Sequence, residues 1–250
     1  MGISLHSRAL RAVMLACGLA WLVPMAPLNA ASLLSPGPAE LIRKSTEPFG
    51  LPTALLLDGG LRGKWLGVQR RLDDELVQLA ICEGDREGCV SPEALRFLAI
   101  IESARANEGR ARLGEVNRAV NLAIRPGSDL ALYGQVDVWT SPLATLAKGA
   151  GDCEDYAIAK FVALHKAGVA AEDLRIVVMH DQLSGEDHAV AAARLDGRWL
   201  LLDNRRMAMI EDSSVRNFRP TFVIDAHGVS KYTDAPLVAE AALRSATQAN

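Results

Sequence analysis

At 250 residues, with 50% hydrophobic and 23% charged side chains and a formal net charge of −3, the chain has the make-up of a globular protein. The slight acidic excess offers no basic surface, so neither nucleic acid nor an anionic lipid surface is an expected partner.

The first thirty residues read as a secretory signal rather than as part of the fold. Arg8 and Arg11 give a basic start, Ala12 to Val23 is an apolar run, and Leu28-Asn29-Ala30-Ala31 offers small residues for cleavage. A membrane anchor needs about 20 uninterrupted apolar residues, and Pro24 and Pro27 cut this run short. Cys17, with Leu15, Ala16 and Gly18, faintly resembles a lipoprotein site but lies inside the apolar run rather than after it. Two arginines and no acids leave with the signal, so the 27 basic and 30 acidic side chains become 25 and 30, a formal −5. What remains is long enough for one well-buried domain, or for a small helical lobe packed on a second lobe.

Residues 31–62 are rich in Pro, Gly and Leu without clear period and read as a loosely docked arm. From Lys64 to Ile81 the pattern turns helical, with Trp65, Val68, Leu72, Leu76 and Leu79 on one face. Ser91-Pro92-Glu93 is a helix start, a cap followed by proline at the first position, leading into Ala94 to Ala106. A third helix spans Leu113 to Ile124 and ends at Pro126-Gly127. Between the first two helices Cys82 and Cys89 bracket a polar loop. In an exported protein they read as a disulfide closing that loop, since a metal site would need further ligands and none lie nearby. Residues 132–142 read as a mixed loop that delivers the chain to the next element.

That element is the centre of the sequence. Gly149 and Gly151 break the preceding structure, Asp152 is placed to cap, and apolar residues at 157, 158, 161, 162 and 164 follow helical spacing up to a stop at Gly168. Cys153 therefore falls in the first turn of a helix, where the macrodipole and free N–H groups favour thiolate over thiol. With Cys17 in the signal and the other two paired, it is also the odd cysteine, as a catalytic one is. Asp152, Glu154 and Asp155 push the other way, and a bound cation is the obvious reason for so many carboxylates beside a reactive sulfur. The plainer alternatives are that Asp152 only caps and Asp155 only complements the dipole.

After this helix the period changes to two. Leu174 to His180 is a strand, His188 to Leu195 and Arg198 to Asn204 flank Asp196-Gly197, the strongest short-range hairpin signal, and Thr221 to Ala226 is a further strand. Helices followed by strands, without βαβ alternation, predict an α+β fold with an antiparallel sheet. If Asp196 and Gly197 are the two turn residues, Val190 lies opposite Asp203, and His188 becomes the diagonal neighbour of Asp203 on one face. An imidazole held by a carboxylate on one nitrogen and free on the other is the base of a Cys-His-Asp triad. His165, His180 and His227 are rivals for that role, but none has an expected strand-paired carboxylate in like geometry.

A helix-initial Gly-Asp-Cys-Glu-Asp, then a strand His, then an Asp on the next strand resembles the order of the transglutaminase/papain-like superfamily. The fuller string is similar to the bacterial transglutaminase-like cysteine proteinases. It comprises Val116-Asn117, Tyr133-Gly134-Gln135, Asp137-Val138-Trp139, Ser141-Pro142, Gly149 through Lys160, His188-Ala189-Val190 and Leu201-Leu202-Asp203-Asn204, within a span from about Trp65 to Val223.

The resemblance implies a papain/transglutaminase-like fold, with the cysteine at the start of a helix that belongs to an N-terminal helical lobe and packs on the sheet. The catalytic domain would span 63–230, leaving 231–250 as a C-terminal tail. It implies a periplasmic, calcium-dependent endopeptidase that clips the N-terminal region of large RTX-type biofilm adhesins at a di-alanine motif, restrained by an inner-membrane cyclic-di-GMP receptor. Carried onto this sequence, Cys153 is the nucleophile, His188 the base and acid, and Asp203 the orienting group. The N–H of Cys153 is one oxyanion donor, the indole of Trp139 is a candidate for another, and Asp152, Glu154 and Asp155 are the calcium ligands. Two alternatives stay open: acyl transfer to an amine by the same triad, and a non-catalytic binding module on the same fold.

Overall fold

The computed structural model describes residues 45–233. The expected signal at 1–30, the first part of the arm and the residues from 234 onward lie outside the described residues.

Three helices open the fold. Helix α1 (Gly60–Gly84) buries Trp65, Val68 and Leu79 on the face that its spacing marks. Helix α2 (Pro92–Arg105) starts as its sequence predicts, with Ser91 Oγ accepting the Ala94 N–H at 3.1 Å. Helix α3 (Gly109–Ala123) begins before the expected Leu113. A disulfide joins Cys82, in the last turn of α1, to Cys89 in the loop before α2. Among the described residues no helix is long and apolar enough to cross a membrane.

Two short helices flank the stretch 132–142 read as a mixed loop: α4 (Asp129–Tyr133) ends inside it and α5 (Pro142–Lys148) begins at its last residue. Ser141 makes no side-chain cap on α5. The cap comes from α1 instead, where the Glu75 carboxylate accepts the N–H groups of Leu143 and Ala144 at 3.0 and 3.2 Å. A small parallel pair, β2 (Arg125–Pro126) with β3 (Ala150–Gly151), then ties the end of α3 to the residues just before the cysteine helix. That helix, α6 (Cys153–Lys166), is buried almost throughout.

Six further strands and one from the arm complete the fold. They are β4 (Leu174–Asp181), β5 (Asp187–Leu195), β6 (Arg198–Leu202), β7 (Ile210–Glu211), β8 (Phe218–Ile224) and β9 (Val229–Tyr232). With β1 (Thr53–Leu55) they form a seven-stranded antiparallel sheet in the order β1-β9-β8-β4-β5-β6-β7. Side chains alternate across it as a period of two demands. Ala189, Ala191 and Ala193 of β5 face the core shared with α6, their small size letting the helix lie close, whereas Val190 and Ala192 face a second cluster with Met179, Trp199 and Leu201.

Two expected boundaries move. Part of the arm belongs to the sheet, since β1 pairs with β9 and Glu47 forms a two-pronged ion pair with Arg175 at 2.7 and 2.8 Å. Strand β9 runs across the expected domain end at 230 because Val229 and Tyr232 bury their side chains. The architecture is α+β with an antiparallel sheet, as the sequence predicts.

Candidate active site

Four structural features bring the predicted residues to one end of the sheet. The β2–β3 pair fixes Gly149 to Gly151, with Arg125 N–H donating to Gly149 O at 3.1 Å and Gly127 N–H to Gly151 O at 2.9 Å. Glycine is required at 151, because a Cβ there would lie 2.6 Å from Asp155 Oδ2. Cys153 is the first residue of α6, so its N–H lies among those without an intrahelical partner. His188 is the second residue of β5, and Asp203 immediately follows β6.

The hairpin register is the one that Asp196-Gly197 predicts, with Leu195 opposite Arg198 and Ala191 opposite Leu202. His188 Nε2 lies 2.9 Å from Asp203 Oδ1. The imidazole is buried, 1% exposed, and its Nδ1 has no partner among the described residues. One nitrogen is thus committed to a carboxylate and the other is open for a proton. Burial alone would push the Asp203 carboxyl up, but the hydrogen bonds from His188 and from Arg205 N–H, with the Lys160 charge, hold it below the usual carboxylate range.

Cys153 is the free cysteine among the described residues. Its Sγ accepts the Ala189 N–H at 3.4 Å, which puts the sulfur against β5 one residue from His188. The thiol itself donates to Glu154 Oε2 at 3.0 Å, not to the imidazole. Burial pushes this thiol up, and Glu154 adds to the shift by its charge and as acceptor, so the helix start does not by itself yield a thiolate.

The acidic group differs from expectation in one member. Asp129, Asp152 and Glu154 offer oxygens within 4.8 Å of one another, and Asp155 is not among them. Asp155 is fully buried and accepts the Thr140 N–H at 2.9 Å and the Thr140 hydroxyl at 2.6 Å, so it braces the segment before α5. Its carboxyl is pushed up to about 6 by burial, against those hydrogen bonds. Asp129, at the start of α4, takes its place, and no local pattern in the sequence announces it. Asp152 occupies the N-cap position without capping. Burial, then the Glu154 carboxylate, push it up to about 9. Buried oxygens of both Asp129 and Asp152 lack partners among the described residues. Convergent, unsatisfied carboxylates of this kind suit a hard divalent cation with oxygen ligands.

Trp139 departs from its expected role. Its indole N–H donates to Asp137 Oδ1 at 2.9 Å and its ring is buried in the core, so that donor is already committed. Contrary to the expectation that it lacks one, His180 has a strand-paired carboxylate. It stands opposite Asp187, with Nδ1 2.9 Å from Oδ1, in an exposed pair. A cavity of about 200 Å³ opens beside His188 and Asp203, with Met179, Val190 and Leu201 among its apolar walls and Arg206 in its lining.

The chain resembles known structures in fold. Legionella pneumophila LapG matches with a TM-score of 0.52 at 22% identity, over 65% of this chain and 89% of that one. Its calcium-bound form matches with a TM-score of 0.50 at 24% identity, over 58% and 82% of the two chains. Its EGTA-treated form gives 0.52 at 23%, over 64% and 85%. A search of the curated proteins found no match. The sequence profile of the bacterial transglutaminase-like cysteine proteinases (BTLCP) matches residues 78–218, more than half of the chain, and the protein belongs to that family of cysteine proteases.

Proposed function

We propose that this protease is a calcium-dependent periplasmic endopeptidase working through Cys153, His188 and Asp203. The observation that carries the reading is the buried His188, held at Nε2 by Asp203 and open at Nδ1, beside the strand residue whose N–H meets Cys153 Sγ. Once the thiol turns from Glu154, its proton passes to Nδ1 and the sulfur attacks the scissile carbonyl. The Cys153 N–H at the start of α6 supports the oxyanion. His188 then returns the proton to the leaving amine, and water, deprotonated by the same nitrogen, hydrolyses the thioester.

Calcium held by Asp129, Asp152 and Glu154 would supply positive charge that offsets the carboxylates around the thiol. The calcium-bound form of the Legionella protein supports calcium as the cation, and the convergence of the three carboxylates supports these residues as its ligands. The signal-like first thirty residues support export, and the family resemblance supports a large surface adhesin as substrate and a membrane receptor as its regulator.

Incubating the mature protein with exported adhesins from its own source, and mapping any new termini, tests this reading. Cleavage with calcium, its loss in EGTA and its absence with Cys153→Ala are expected. Cleavage by Cys153→Ala, or none by the calcium-supplied wild type, overturns it.

A further inference from the structure

Asp203 sits outside regular structure, one residue past the end of β6, yet its carboxylate must keep a fixed angle to His188. Backbone immediately around it is held from the opposite side by side chains of two helices. Lys160, on α6, donates its ammonium to Leu202 O at 3.2 Å. Asn121, on α3, donates its amide to Asp203 O at 3.0 Å and Arg206 O at 3.2 Å. Asn117, one turn earlier on the same helix face, donates to Arg206 O at 3.1 Å and Met207 O at 2.9 Å. Four carbonyls between Leu202 and Met207 are thus gripped by three side chains.

These groups are costly to keep unless they act. Lys160 is fully buried, and an interior ammonium is tolerated only when it is paired and hydrogen-bonded. Asn117 is also fully buried, and neither its Oδ1 nor that of Asn121 finds a donor among the described residues. What the two amides contribute is therefore their N–H groups, all aimed at the turn that carries Asp203. Lys160 also lies two helical turns after Cys153, so α6 touches the hairpin at two points, Cys153 at Ala189 on β5 and Lys160 at Leu202 on β6.

We infer that Asn117, Asn121 and Lys160 are positioning residues that hold the turn after β6 so that Asp203 orients His188. This rests on the reading of Asp203 as the group that orients the imidazole. The reaction requires His188 to present Nδ1 to the thiol, and a displacement of the carboxylate by even an ångström turns the ring away.

The test uses full-length protein labelled with 15N-histidine, with calcium present throughout, and two readouts that need no substrate. These are the low-field proton of the His188 Nε2–H···Oδ1 bond and the rate of Cys153 alkylation by iodoacetamide. In Lys160→Met and in Asn121→Leu the proton should move upfield or broaden, and alkylation should slow by about 10-fold or more. Lys160→Gln, which keeps a donor without the charge, should recover much of both. Far-UV circular dichroism and melting report folding. Should Lys160→Met not fold, Asn121→Leu, at a half-buried position, carries the same test. Asp203→Asn is run beside them. If it alters both readouts while the folded variants match wild type, the clamp is overturned and the triad stands. If Asp203→Asn itself matches wild type, the triad reading fails and the clamp with it.

Discussion

The Cys153 thiol donates to the Glu154 carboxylate across 3.0 Å, and that same side chain converges on Asp129 and Asp152. Drawing Glu154 toward a cation removes an acceptor and a negative charge from the sulfur together. Each unit by which the thiol's pKa then falls multiplies the thiolate fraction about ten-fold near neutrality. Alkylation of Cys153, followed by mass spectrometry, should be slow in EGTA, speed up by about ten-fold or more with calcium, and respond poorly to magnesium. Glu154→Gln should label faster in EGTA and lose most of the calcium response. Equal rates with and without calcium in the wild type would remove Glu154 from the control of the thiol.

The acidic residues should separate into two classes. Asp129→Ala and Asp152→Ala should weaken calcium binding in calorimetry and shrink the melting shift that calcium gives. Asp155→Ala should instead lower the melting temperature in EGTA as well, because it strands the Thr140 N–H and leaves the Thr140 hydroxyl only its contact with Thr145. A loss of about 1.5–3 kcal/mol per charge-assisted bond is the expected scale. If Asp155→Ala acts only when calcium is present, the assignment of that residue as a brace is wrong.

The Cys82–Cys89 bond closes a short loop at a sequence separation of 7. Its contribution to stability should be modest, about 2–3 kcal/mol. Reduction should add two protons to the intact mass and lower the melting temperature without abolishing activity, since the bond ties the end of α1 to the loop before α2 and involves none of the site residues.

Burial pulls the Lys160 ammonium down to about 7, against the pull of Asp203. In the unfolded chain an ordinary lysine titrates near 10.4, so the folded state gives up its proton first. Between pH of about 7 and about 10 the unfolded chain binds more protons, and this group makes stability rise with pH. Below about pH 7 both states are charged and the full burial penalty applies. The melting temperature of wild type minus that of Lys160→Met, measured across pH 6 to 10 in one buffer series, should therefore climb above about pH 7. A flat difference would mean that Lys160 is not depressed.

Legibility in the sequence followed the reach of each interaction. The His188–Asp203 pairing could be worked out because Asp196 and Gly197 both adopt positive φ, 51° and 75°, the turn that locks a two-residue hairpin. Ser91-Pro92 and Cys82/Cys89 are likewise local signals. Helix α5 escaped because its cap, Glu75, comes from another helix. Asp129 escaped because its partners are brought to it by the β2–β3 pair, and two paired residues carry no readable period. Strand β9 was missed where Val229 to Tyr232 is too short to show alternation, although its pairing with both β8 and β1 makes it part of the sheet. The commitment of the Trp139 indole is not legible either, because sequence does not reveal that Asp137 turns back to meet it.

Among the described residues the sheet ends in stubs. On one side its last strand is β1, three residues long, and on the other it is β7, two residues long. An enzyme that meets long, extended polypeptides runs the hazard of templating them onto an open edge, as aggregating sheets do. Among the described residues a visiting chain finds only a short outermost strand on either margin, which disfavours latching on by strand addition. A polypeptide met at this molecule would then have to be held by side chains, and the cavity beside His188 and Asp203, with Met179, Val190, Leu201 and Arg206 in its lining, offers apolar walls for that.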